Sequence, residues 1–294
     1  MTYDIIIIGA GCAGLTAAVY ARRAGKTVLL VEAETVGGQI GSSPRVENFP
    51  SIISISGAEF SDNLFTQATQ LGAEFELERV TEVIPGDTVR VITEYGEHTC
   101  KKLIIATGAR HKKLGISDED RFEGRGISYC AVCDGAFYKG KTVAVVGGGN
   151  AALQSAQYLA AICQKVYLIH RRSEFRGEKQ KADELTAYPN IELVMNSEIT
   201  SLGGEKFLTS LTVTDVNAGS AREIPVDGLF VAVGQIPQNS VFEGVVELDG
   251  QGYIVAGEDC KTNVTGIFAA GDCRTKAVRQ LTTAAADGAV SALM

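Results

Sequence analysis

The sequence has no tryptophan, only three histidines and no apolar run long enough to cross a membrane. A spanning helix needs about 20 consecutive apolar residues, so no segment is predicted to lie across a bilayer. Basic residues are also in deficit, since 27 Lys and Arg against 35 Asp and Glu give a net charge of −8. This balance disfavours nucleic acid as the main partner, because phosphate binding normally needs a basic surface.

The N-terminal segment lacks the basic stretch and cleavage site that are typical of a secretory signal. The seven cysteines are odd in number and scattered through a long chain, which does not resemble a disulfide framework. We therefore expect a cytoplasmic, thiol-reducing setting. In such a setting a closely spaced pair of cysteines is more often catalytic or metal-binding than structural.

One such pair is present, because Cys130 and Cys133 form a CxxC motif in the stretch SYCAVCDGAF, directly before Asp134. Two cysteines at this spacing can bind a metal, staple a loop or exchange electrons. A zinc site would need two further ligands, and the other cysteines stand alone in the sequence. No metal site is therefore predicted, while a redox pair and a structural staple both remain open.

The first forty residues follow the order strand, glycine turn, helix, strand. The turn carries Gly9, Gly11 and Gly14 in a GxGxxG spacing, and Glu32 ends the next apolar strand. Glycines at these positions permit a tight turn and a close approach of the backbone to a pyrophosphate at the helix N-terminus. The acidic residue can accept a hydrogen bond from an adenosine ribose. This segment therefore predicts a dinucleotide site.

The same unit returns in KTVAVVGGGNAALQSAQYLAAICQKVYLIHRR, where Gly147, Gly149 and Ala152 occupy the three glycine positions. Alanine is accepted at the third position, where the helix packs on the strand. In this register His170 replaces Glu32, and the absence of an acid favours a 2′-phosphate over a free hydroxyl. Guanidinium groups that can bind this phosphate bidentately follow His170, at Arg171, Arg172 and Arg176. The second site is therefore predicted to take NADP.

Further apolar strands that end in glycine turns occur at 101–111, 227–238 and 266–273, and a helix is predicted from Leu281 onward. The segment between Gly41 and Leu71 has proline, serine clusters and no clear period, so we predict a loop there.

These echoes predict an α/β fold with two Rossmann-like dinucleotide-binding domains, the second inserted into the first. The first domain is assigned to residues 1–114 and 239–294, and the second domain, which carries the CxxC motif, to residues 115–238.

Two nucleotide sites and a CxxC motif together suggest an electron path. NADPH gives up hydride, a dithiol–disulfide pair exchanges two electrons, and flavin is the usual intermediary between them. FAD is a dinucleotide that suits the first site, because Glu32 would repel the 2′-phosphate of NADP. The combination predicts that electrons pass from NADPH through FAD to Cys130 and Cys133, and then to an external disulfide.

Nearly the full length of the chain resembles the low-molecular-weight, bacterial-type thioredoxin reductases, which are pyridine nucleotide–disulfide oxidoreductases of class II. The resemblance rests on segments that run in order from residue 9 to residue 288: GAGCAGLTAA, GGQI, VENFP, ATGARHKKLGI, GRGISYCAVCDGAF, VVGGGNAALQ, HRRSEFR, GLFVAVGQIP and GIFAAGDCRTKAVRQLTTAAADG. The CxxC motif shortly precedes Gly147, on the inserted domain. In the larger disulfide reductases that resemble glutathione reductase it follows the first glycine motif instead.

The resemblance implies that Cys130 and Cys133 are the redox pair and that Asp134 is the acid–base group. It implies that FAD lies against Gly9, Gly11, Cys12, Ala13, Gly14, Glu32, Gly37, Gly38, Gln39, Ile40, Asn48, Gly108, Gly271, Asp272, Arg279, Gln280 and Leu281. NADP is assigned to Gly147, Gly149, Asn150, Ala152, His170, Arg171, Arg172 and Arg176. It also implies thioredoxin or a thioredoxin-like protein as the partner, a homodimer, and rotation of the inserted domain about hinges near Leu114–Gly115 and Gln235–Gln238.

The chain departs from the pattern of these reductases at three positions. Cys12 stands where proline is usual, and Ala151 and Gln154 stand where a hydroxyl residue and a glutamate are usual. The changes at Ala151 and Gln154 bear on NADPH affinity, so the alternative is a related flavin-dependent reductase with ferredoxin or another donor. A third hypothesis is a redox switch that only reports nucleotide status, which sustained turnover of a disulfide substrate would rule out.

Overall fold

The computed structural model describes residues 2–294, and the chain folds into two compact units. One unit is formed by the chain up to Arg110 together with Ile236–Met294, and the other by His111–Gln235. The predicted boundaries at residues 114 and 238 lie a few residues further along the chain, because the prediction places them at glycine and proline. The chain instead crosses between the units inside two short strands.

The strands in chain order are β1 (Thr2–Ile8), β2 (Val28–Glu32), β3 (Glu74–Leu77), β4 (Val80–Ile84), β5 (Val89–Thr93), β6 (Glu97–Ile105), β7 (Ala109–His111), β8 (Ile127–Ser128), β9 (Thr142–Val146), β10 (Lys165–Ile169), β11 (Ile191–Val194), β12 (Ser197–Gly203), β13 (Ser210–Asp215), β14 (Ala221–Pro225), β15 (Gly228–Val231), β16 (Gln235–Pro237) and β17 (Ile267–Ala269). The helices are α1 (Cys12–Arg23), α2 (Gly57–Gln70), α3 (Glu119–Phe122), α4 (Ala131–Asp134), α5 (Asn150–Ala160), α6 (Lys179–Glu184) and α7 (Leu281–Leu293). Short 3₁₀ turns cover Gly38–Ser42, Gly135–Tyr138, Leu185–Ala187, Ser240–Phe242 and Gly271–Cys273.

The sheet of the first unit has the strand order β3-β2-β1-β6-β5-β4, with β17 also paired to β6. The central strands are parallel, since β1 runs parallel to both β2 and β6, and β17 runs parallel to β6. The strands β4, β5 and β6 form an antiparallel extension. The α/β fold class is therefore confirmed, and α7 begins at Leu281 as predicted.

Both faces of the central strands are covered, which explains why β1 is an unbroken apolar run. Ile5 and Ile7 pack in one layer with the buried face of α1, while Ile6 and Ile8 pack in another layer with β4 and β5. Successive side chains of a strand point to opposite faces, so one short run of isoleucines contributes to two cores. The layers hold the turn after β1 rigidly between strand and helix.

The prediction of a loop between Gly41 and Leu71 is wrong over half of its length, because α2 occupies Gly57–Gln70. The Ser56 side chain caps this helix by accepting a hydrogen bond from the Glu59 N–H at 3.1 Å. Phe60 and Ala68 are buried on one face, eight positions apart along the helix. The serine cluster that suggested a loop therefore contains a helix start signal.

The second unit contains a parallel sheet with the order β11-β10-β9-β15-β8 and an antiparallel sheet formed by β12, β13 and β14. The strands β9 and β10 run side by side, with Val146 opposite Ile169 at their ends. Their carboxyl ends therefore meet at one edge of the sheet, which is where ligands bind in open parallel sheets. In the described part of the chain, residues 2–294, no helix is long and apolar enough to cross a membrane.

Candidate dinucleotide sites and redox centre

The turn between β1 and α1 is held by backbone contacts that exclude side chains. Gly9 has a φ of +105°, and a Cβ on it would lie 2.4 Å from the carbonyl oxygen of Ala106. Its N–H donates to the carbonyl oxygen of Val31 at 2.8 Å. The helix α1 begins at Cys12 with Gly11 as its N-cap and no side-chain cap. Its first N–H groups therefore face a glycine turn, which suits a pyrophosphate.

Glu32 lies at the end of β2 beside this turn, as the sequence pattern predicts. Its Oε2 accepts a hydrogen bond from the Ala10 N–H at 2.7 Å, and its Oε1 accepts from the Glu34 N–H at 2.9 Å. These bonds fix the carboxylate next to the glycine turn and leave further lone pairs on both oxygens. The carboxylate can therefore accept hydrogen bonds from a ribose at this position.

Other residues assigned to the first site converge on the same turn. Gly11 pairs with Gly37 in an isolated bridge, and a Cβ on Gly271 would lie 2.9 Å from the Cβ of Ala13. The thiol of Cys12 donates to the carbonyl oxygen of Leu281 at 3.5 Å. The segments that carry Gly11, Gly37, Gly271 and Leu281 therefore meet around the N-terminus of α1.

Three further residues of the set are tied to neighbouring loops. The Asn48 amide donates to Gln280 Oε1 at 3.2 Å, and the Gln39 amide donates to the carbonyl oxygen of Ala109. The guanidinium of Arg279 lies 4.2 Å from the centre of the Tyr253 ring and donates to the carbonyl oxygen of Asp272 at 3.4 Å. Gly38, Ile40 and Gly108 contribute backbone in the same unit, at the 3₁₀ turn and after β6.

Asp272 gives the clearest indication of a ligand in the first unit. Its Oδ1 is buried and has no hydrogen-bond partner among residues 2–294. Burial raises the pKa of this carboxyl, while Lys276 and Arg279 lower it. A buried acceptor without a partner is costly, so such groups are normally satisfied. A ligand that donates hydroxyl hydrogens, as the sugar-alcohol parts of FAD do, would satisfy it.

The loop that carries Asp272 is anchored by an ion-pair network that the sequence analysis missed. Asp287, on α7, accepts hydrogen bonds from the Gly271 N–H at 2.9 Å, from the Arg274 guanidinium at 2.8 and 2.9 Å, and from Lys276 Nζ at 2.8 Å. Arg274 has only 1% of its surface exposed. An aspartate inside an otherwise apolar helix, with two basic residues after Asp272, is the signal that could have identified the network.

The second unit repeats the geometry of the first. Gly147 has a φ of +150°, and a Cβ on it would lie 2.3 Å from the carbonyl oxygen of Ala232. Its N–H donates to the carbonyl oxygen of Ile169 at 3.0 Å, as the Gly9 N–H does to Val31. The helix α5 begins at Asn150 with Gly149 as its N-cap, and Ala152 is buried behind the turn. The sequence repeat is therefore a structural repeat.

The position of Glu32 is taken by His170, which is buried at the end of β10. Its Nε2 lies 3.1 Å from the carbonyl oxygen of Glu174, and its ring stacks on Phe175 at 5.5 Å. Burial lowers the pKa of His170, and the neighbouring arginines lower it further. Within the described residues no ion pair involves the exposed side chains of this cluster: Arg171, Arg172 and Arg176. At this edge of the sheet, three guanidinium groups beside the His170 ring are therefore available to bind an anion.

The loop after β10 is connected to the N-terminus of α5. Asn150 donates to Glu178 Oε1 at 2.8 Å and accepts from the Glu178 N–H at 2.7 Å, which holds the loop beside the glycine turn. Ala151 and Gln154 are exposed on the first turns of the same helix. The positions at which the chain departs from the resembling reductases therefore lie at the predicted nucleotide site.

Cys130 and Cys133 form a disulfide with a Cα–Cα distance of 5.2 Å. The pair follows β8, and Cys130 is the N-cap of α4, with the Cys133 N–H donating to Cys130 Sγ at 3.2 Å. Asp134 ends the same helix, and its Oδ2 accepts a hydrogen bond from the Ser128 hydroxyl at 2.6 Å. Burial raises the pKa of Asp134, while the bond from Ser128 lowers it.

One group of potential metal ligands comes together among residues 2–294, formed by Glu76, Glu78 and His98, whose ligand atoms lie within 4.8 Å of one another. His98 Nε2 lies 2.8 Å from Glu76 Oε2, which accounts for part of the group as an ion pair. No spacing in the sequence indicates this group. Glu76 lies on β3, Glu78 directly follows β3 and His98 lies on β6, and β3 and β6 are not adjacent in the sheet. The absence of a metal site remains a prediction.

Comparison with known proteins gives one consistent result. Residues 3–288 match the model of the family described as pyridine nucleotide-disulphide oxidoreductase. The thioredoxin reductase of Listeria innocua is 41% identical over 291 residues, which cover 98% of this chain and 91% of that protein. The thioredoxin reductase of Bacillus subtilis is 40% identical over 294 residues, covering 99% and 92%. The crystal structure of thioredoxin reductase from Streptococcus pyogenes MGAS5005 superposes with a TM-score of 0.95, at 35% identity, covering 99% of this chain and 96% of that chain.

Proposed function

This chain belongs to the pyridine nucleotide-disulphide oxidoreductase family and acts as a thioredoxin-disulfide reductase, and we propose that Cys130 and Cys133 carry electrons from NADPH and FAD to thioredoxin or a thioredoxin-like protein. The observation that carries the proposal is the disulfide next to the partly buried carboxyl group of Asp134, in the same unit as the glycine turn with its arginine cluster. The similarity to thioredoxin reductases disfavours the alternative in which ferredoxin is the donor.

We assign FAD to the unit formed by the chain up to Arg110 and Ile236–Met294. The pyrophosphate would lie at the N-terminus of α1, against the turn of Gly9, Gly11 and Gly14. Glu32 would accept hydrogen bonds from the ribose, and the orphaned Oδ1 of Asp272 would accept one from a hydroxyl of the cofactor. When bound, the flavin supplies the conversion between hydride transfer and thiol–disulfide chemistry.

We assign NADPH to the unit His111–Gln235, with the pyrophosphate at the N-terminus of α5. Two features of this edge favour a 2′-phosphate over a free hydroxyl. Burial lowers the pKa of His170, which favours its neutral form, and among residues 2–294 no ion pair engages the guanidiniums of Arg171, Arg172 and Arg176. Arginine binds phosphate bidentately, whereas a carboxylate at this place would repel it.

The chain's own acid–base chemistry centres on Asp134. Two-electron reduction of the disulfide breaks the Cys130–Cys133 bond and leaves two thiolates, each of which takes up one proton to become a thiol. Because burial raises its pKa, the carboxyl of Asp134 holds a proton more readily than an exposed aspartate does. In the reverse sense, the ionised carboxylate can take the proton of an attacking thiol during exchange with a protein disulfide.

Thioredoxin is the natural candidate for that protein disulfide, because the relatives named above are thioredoxin reductases. A homodimer and a cytoplasmic location are further proposals that rest on the resemblance to these reductases. Sedimentation of the purified protein at several concentrations, and fractionation of the source cells, would test them.

The proposal is tested by following the reduction of thioredoxin by NADPH with the purified flavin-loaded protein. We expect the wild type to turn over repeatedly, and we expect Cys130→Ser and Cys133→Ser each to lose thioredoxin reduction. The matched control is Cys163→Ser, since Cys163 is buried in the same unit and forms no disulfide. Turnover that survives in either variant of the pair would contradict the proposal.

A further inference from the structure

The hydroxyl group of Ser128 forms hydrogen bonds with both Cys130 and Asp134. Ser128 is the last residue of β8, where it lies opposite Phe230 of β15, and only 6% of its surface is exposed. Its Oγ donates to Asp134 Oδ2 at 2.6 Å and accepts from the Cys130 N–H at 3.1 Å. The sheet therefore fixes one atom that contacts both the carboxyl group and the backbone of a redox cysteine.

The same hydroxyl can serve both protonation states of Asp134. When the carboxylate is ionised, the hydroxyl hydrogen points to it. When the carboxyl is protonated, its own O–H can donate to Ser128 Oγ, and the hydroxyl hydrogen can turn to the carbonyl oxygen of Cys130, which lies 3.4 Å away. A hydroxyl has one donor hydrogen and two acceptor lone pairs, so this reversal requires no movement of heavy atoms.

We propose that Ser128 is a positioning residue for thiol–disulfide exchange, which holds the carboxyl of Asp134 beside the cysteine pair in both of its protonation states. The inference rests on the proposed function of the Cys130–Cys133 pair. In the exchange step, a thiol of the reduced pair gives its proton to the Asp134 carboxylate. The resulting thiolate attacks a disulfide of the partner and forms a mixed disulfide as the partner's S–S bond breaks, and the leaving thiolate takes up one proton, which balances the proton given to Asp134. Ser128 neither gains nor loses a proton overall.

The surroundings of Asp134 leave Ser128 as its principal polar partner. Burial raises the pKa of Asp134, and the bond from Ser128 lowers it. Tyr138 lies on the following 3₁₀ turn. Burial and the negative charges of Asp134 and Asp227 raise its pKa to about 12, so its hydroxyl is neutral. Tyr158 and Leu159 of α5, and Ile162 just after it, face the adjacent Gly135. Loss of the hydroxyl should therefore raise the pKa of Asp134 further.

The experiment uses the full chain with its flavin, reduced beforehand with dithiothreitol and desalted without oxygen. The rate of its reaction with 5,5′-dithiobis(2-nitrobenzoate) is then measured as a function of pH. For wild type we expect the rate to rise with pH as Asp134 ionises. For Ser128→Ala the rise should move to higher pH, so that the rate at a fixed pH on the wild-type rise falls by about tenfold.

Two further variants separate positioning from damage to the fold. Ser128→Thr keeps the hydroxyl and should restore the wild-type pH profile. Ser197→Ala removes another buried hydroxyl of the same unit, which donates to the carbonyl oxygen of Met195 at 2.8 Å, and should leave the profile unchanged. A Ser128→Ala profile that matches wild type, or that falls by one factor at every pH, would overturn the inference.

The outcomes also distinguish this inference from the proposed function. The probe is a small disulfide and the reductant is dithiothreitol, so neither NADPH nor thioredoxin takes part. If wild type fails to reduce thioredoxin while Ser128→Ala still shifts the profile and Ser128→Thr does not, the proposed function is wrong and the inference stands. If thioredoxin is reduced and the profiles coincide, the inference alone is wrong.

Discussion

At the scale of single residues, the two halves of the repeat differ in the charge they place at one equivalent position. Glu32 ends β2 with a fixed carboxylate, whereas His170 directly follows β10 with a ring whose pKa is lowered by burial, beside exposed guanidiniums. The first glycine of each turn makes the equivalent hydrogen bond, from Gly9 to Val31 and from Gly147 to Ile169. On the proposed assignment, this difference in charge is what would direct FAD to one unit and NADPH to the other.

This difference leads to a test of nucleotide preference. Replacing Arg171 or Arg172 with alanine removes a charge-assisted contact to a 2′-phosphate. We expect KM for NADPH to rise by about 10- to 100-fold, because a hydrogen bond to a charged group contributes about 1.5 to 3 kcal/mol. The KM for NADH should stay nearly constant. Steady-state kinetics with both nucleotides and a saturating disulfide substrate would measure the two effects.

The control is Arg222→Ala, because Arg222 is an exposed arginine of the same unit that forms a surface ion pair with Glu192 at 3.1 Å. Its replacement should leave both KM values unchanged. A parallel rise of KM for NADPH and NADH in the Arg171 and Arg172 variants would show that these side chains do not recognise the 2′-phosphate.

Residues that act through local spacing could be predicted from the sequence, whereas residues that act through tertiary contacts could not. The glycines of both turns, Glu32 and the cysteine pair are marked by motifs with a direct physical meaning. Ser128 and Asp287 carry no such mark, because their partners are brought to them by β8 and α7. A serine before a cysteine and an aspartate in a helix each have many possible roles.

At the scale of elements, α7 and the 3₁₀ turn Gly271–Cys273 form a unit held by buried charge. Asp287 bonds both the backbone of Gly271 and the buried guanidinium of Arg274, so the helix fixes the loop that carries Asp272. The pKa of Asp287 is lowered by its bonds to Arg274, Lys276 and Gly271, although burial raises it. The helix therefore contributes a carboxylate that stays ionised.

Breaking this network should cost both stability and flavin. In Asp287→Asn the buried charge of Arg274 loses its buried counterion and keeps only the exposed Glu258, 3.6 Å away; breaking a buried pair typically costs about 3 to 5 kcal/mol of the free energy of unfolding. Because Gly271 loses its anchor, Asp272 should shift and less flavin should be retained. Urea unfolding and the ratio of flavin to protein absorbance after gel filtration would measure the two losses.

Asp259→Asn is the matched control for Asp287→Asn, since Asp259 is exposed and pairs with Lys261 at 3.7 Å in the same unit. A surface pair of this kind contributes about 0 to 1 kcal/mol, so stability and flavin content should remain close to wild type. If Asp287→Asn also behaves like wild type, the network does not position Asp272.

Secondary structure could be predicted from the sequence where the hydrophobic pattern is strong. It could not be predicted for α2, which is mostly exposed. The apolar runs of β1 and β9 and the start of α7 are evident in the sequence. The helix α2 was predicted as loop, because its buried face has few apolar residues and its cap lies in a serine-rich stretch. Ser56 followed three residues later by Glu59 is the local signal that identifies it.

At the scale of the whole molecule, the sequence repeat is what made the architecture predictable. Each glycine motif lies between a buried strand and a helix, so the two units and the inserted order follow from the sequence alone. The crossing points could not be located to the residue, since the chain passes between units within β7 and β16 rather than at a glycine or proline. Boundaries are the part of a sequence prediction that is least well determined, to within a few residues.

The central claim is that Cys130 and Cys133 accept electrons that enter the molecule from NADPH. Anaerobic titration of the purified protein with NADPH, followed in the flavin absorbance band, tests it most directly when wild type is compared with Cys133→Ser. We predict bleaching of the flavin in both proteins, with wild type taking up about two more electrons per chain, because a disulfide accepts two. Equal electron uptake by the two proteins, or a flavin that dithionite bleaches and NADPH does not, would contradict the claim.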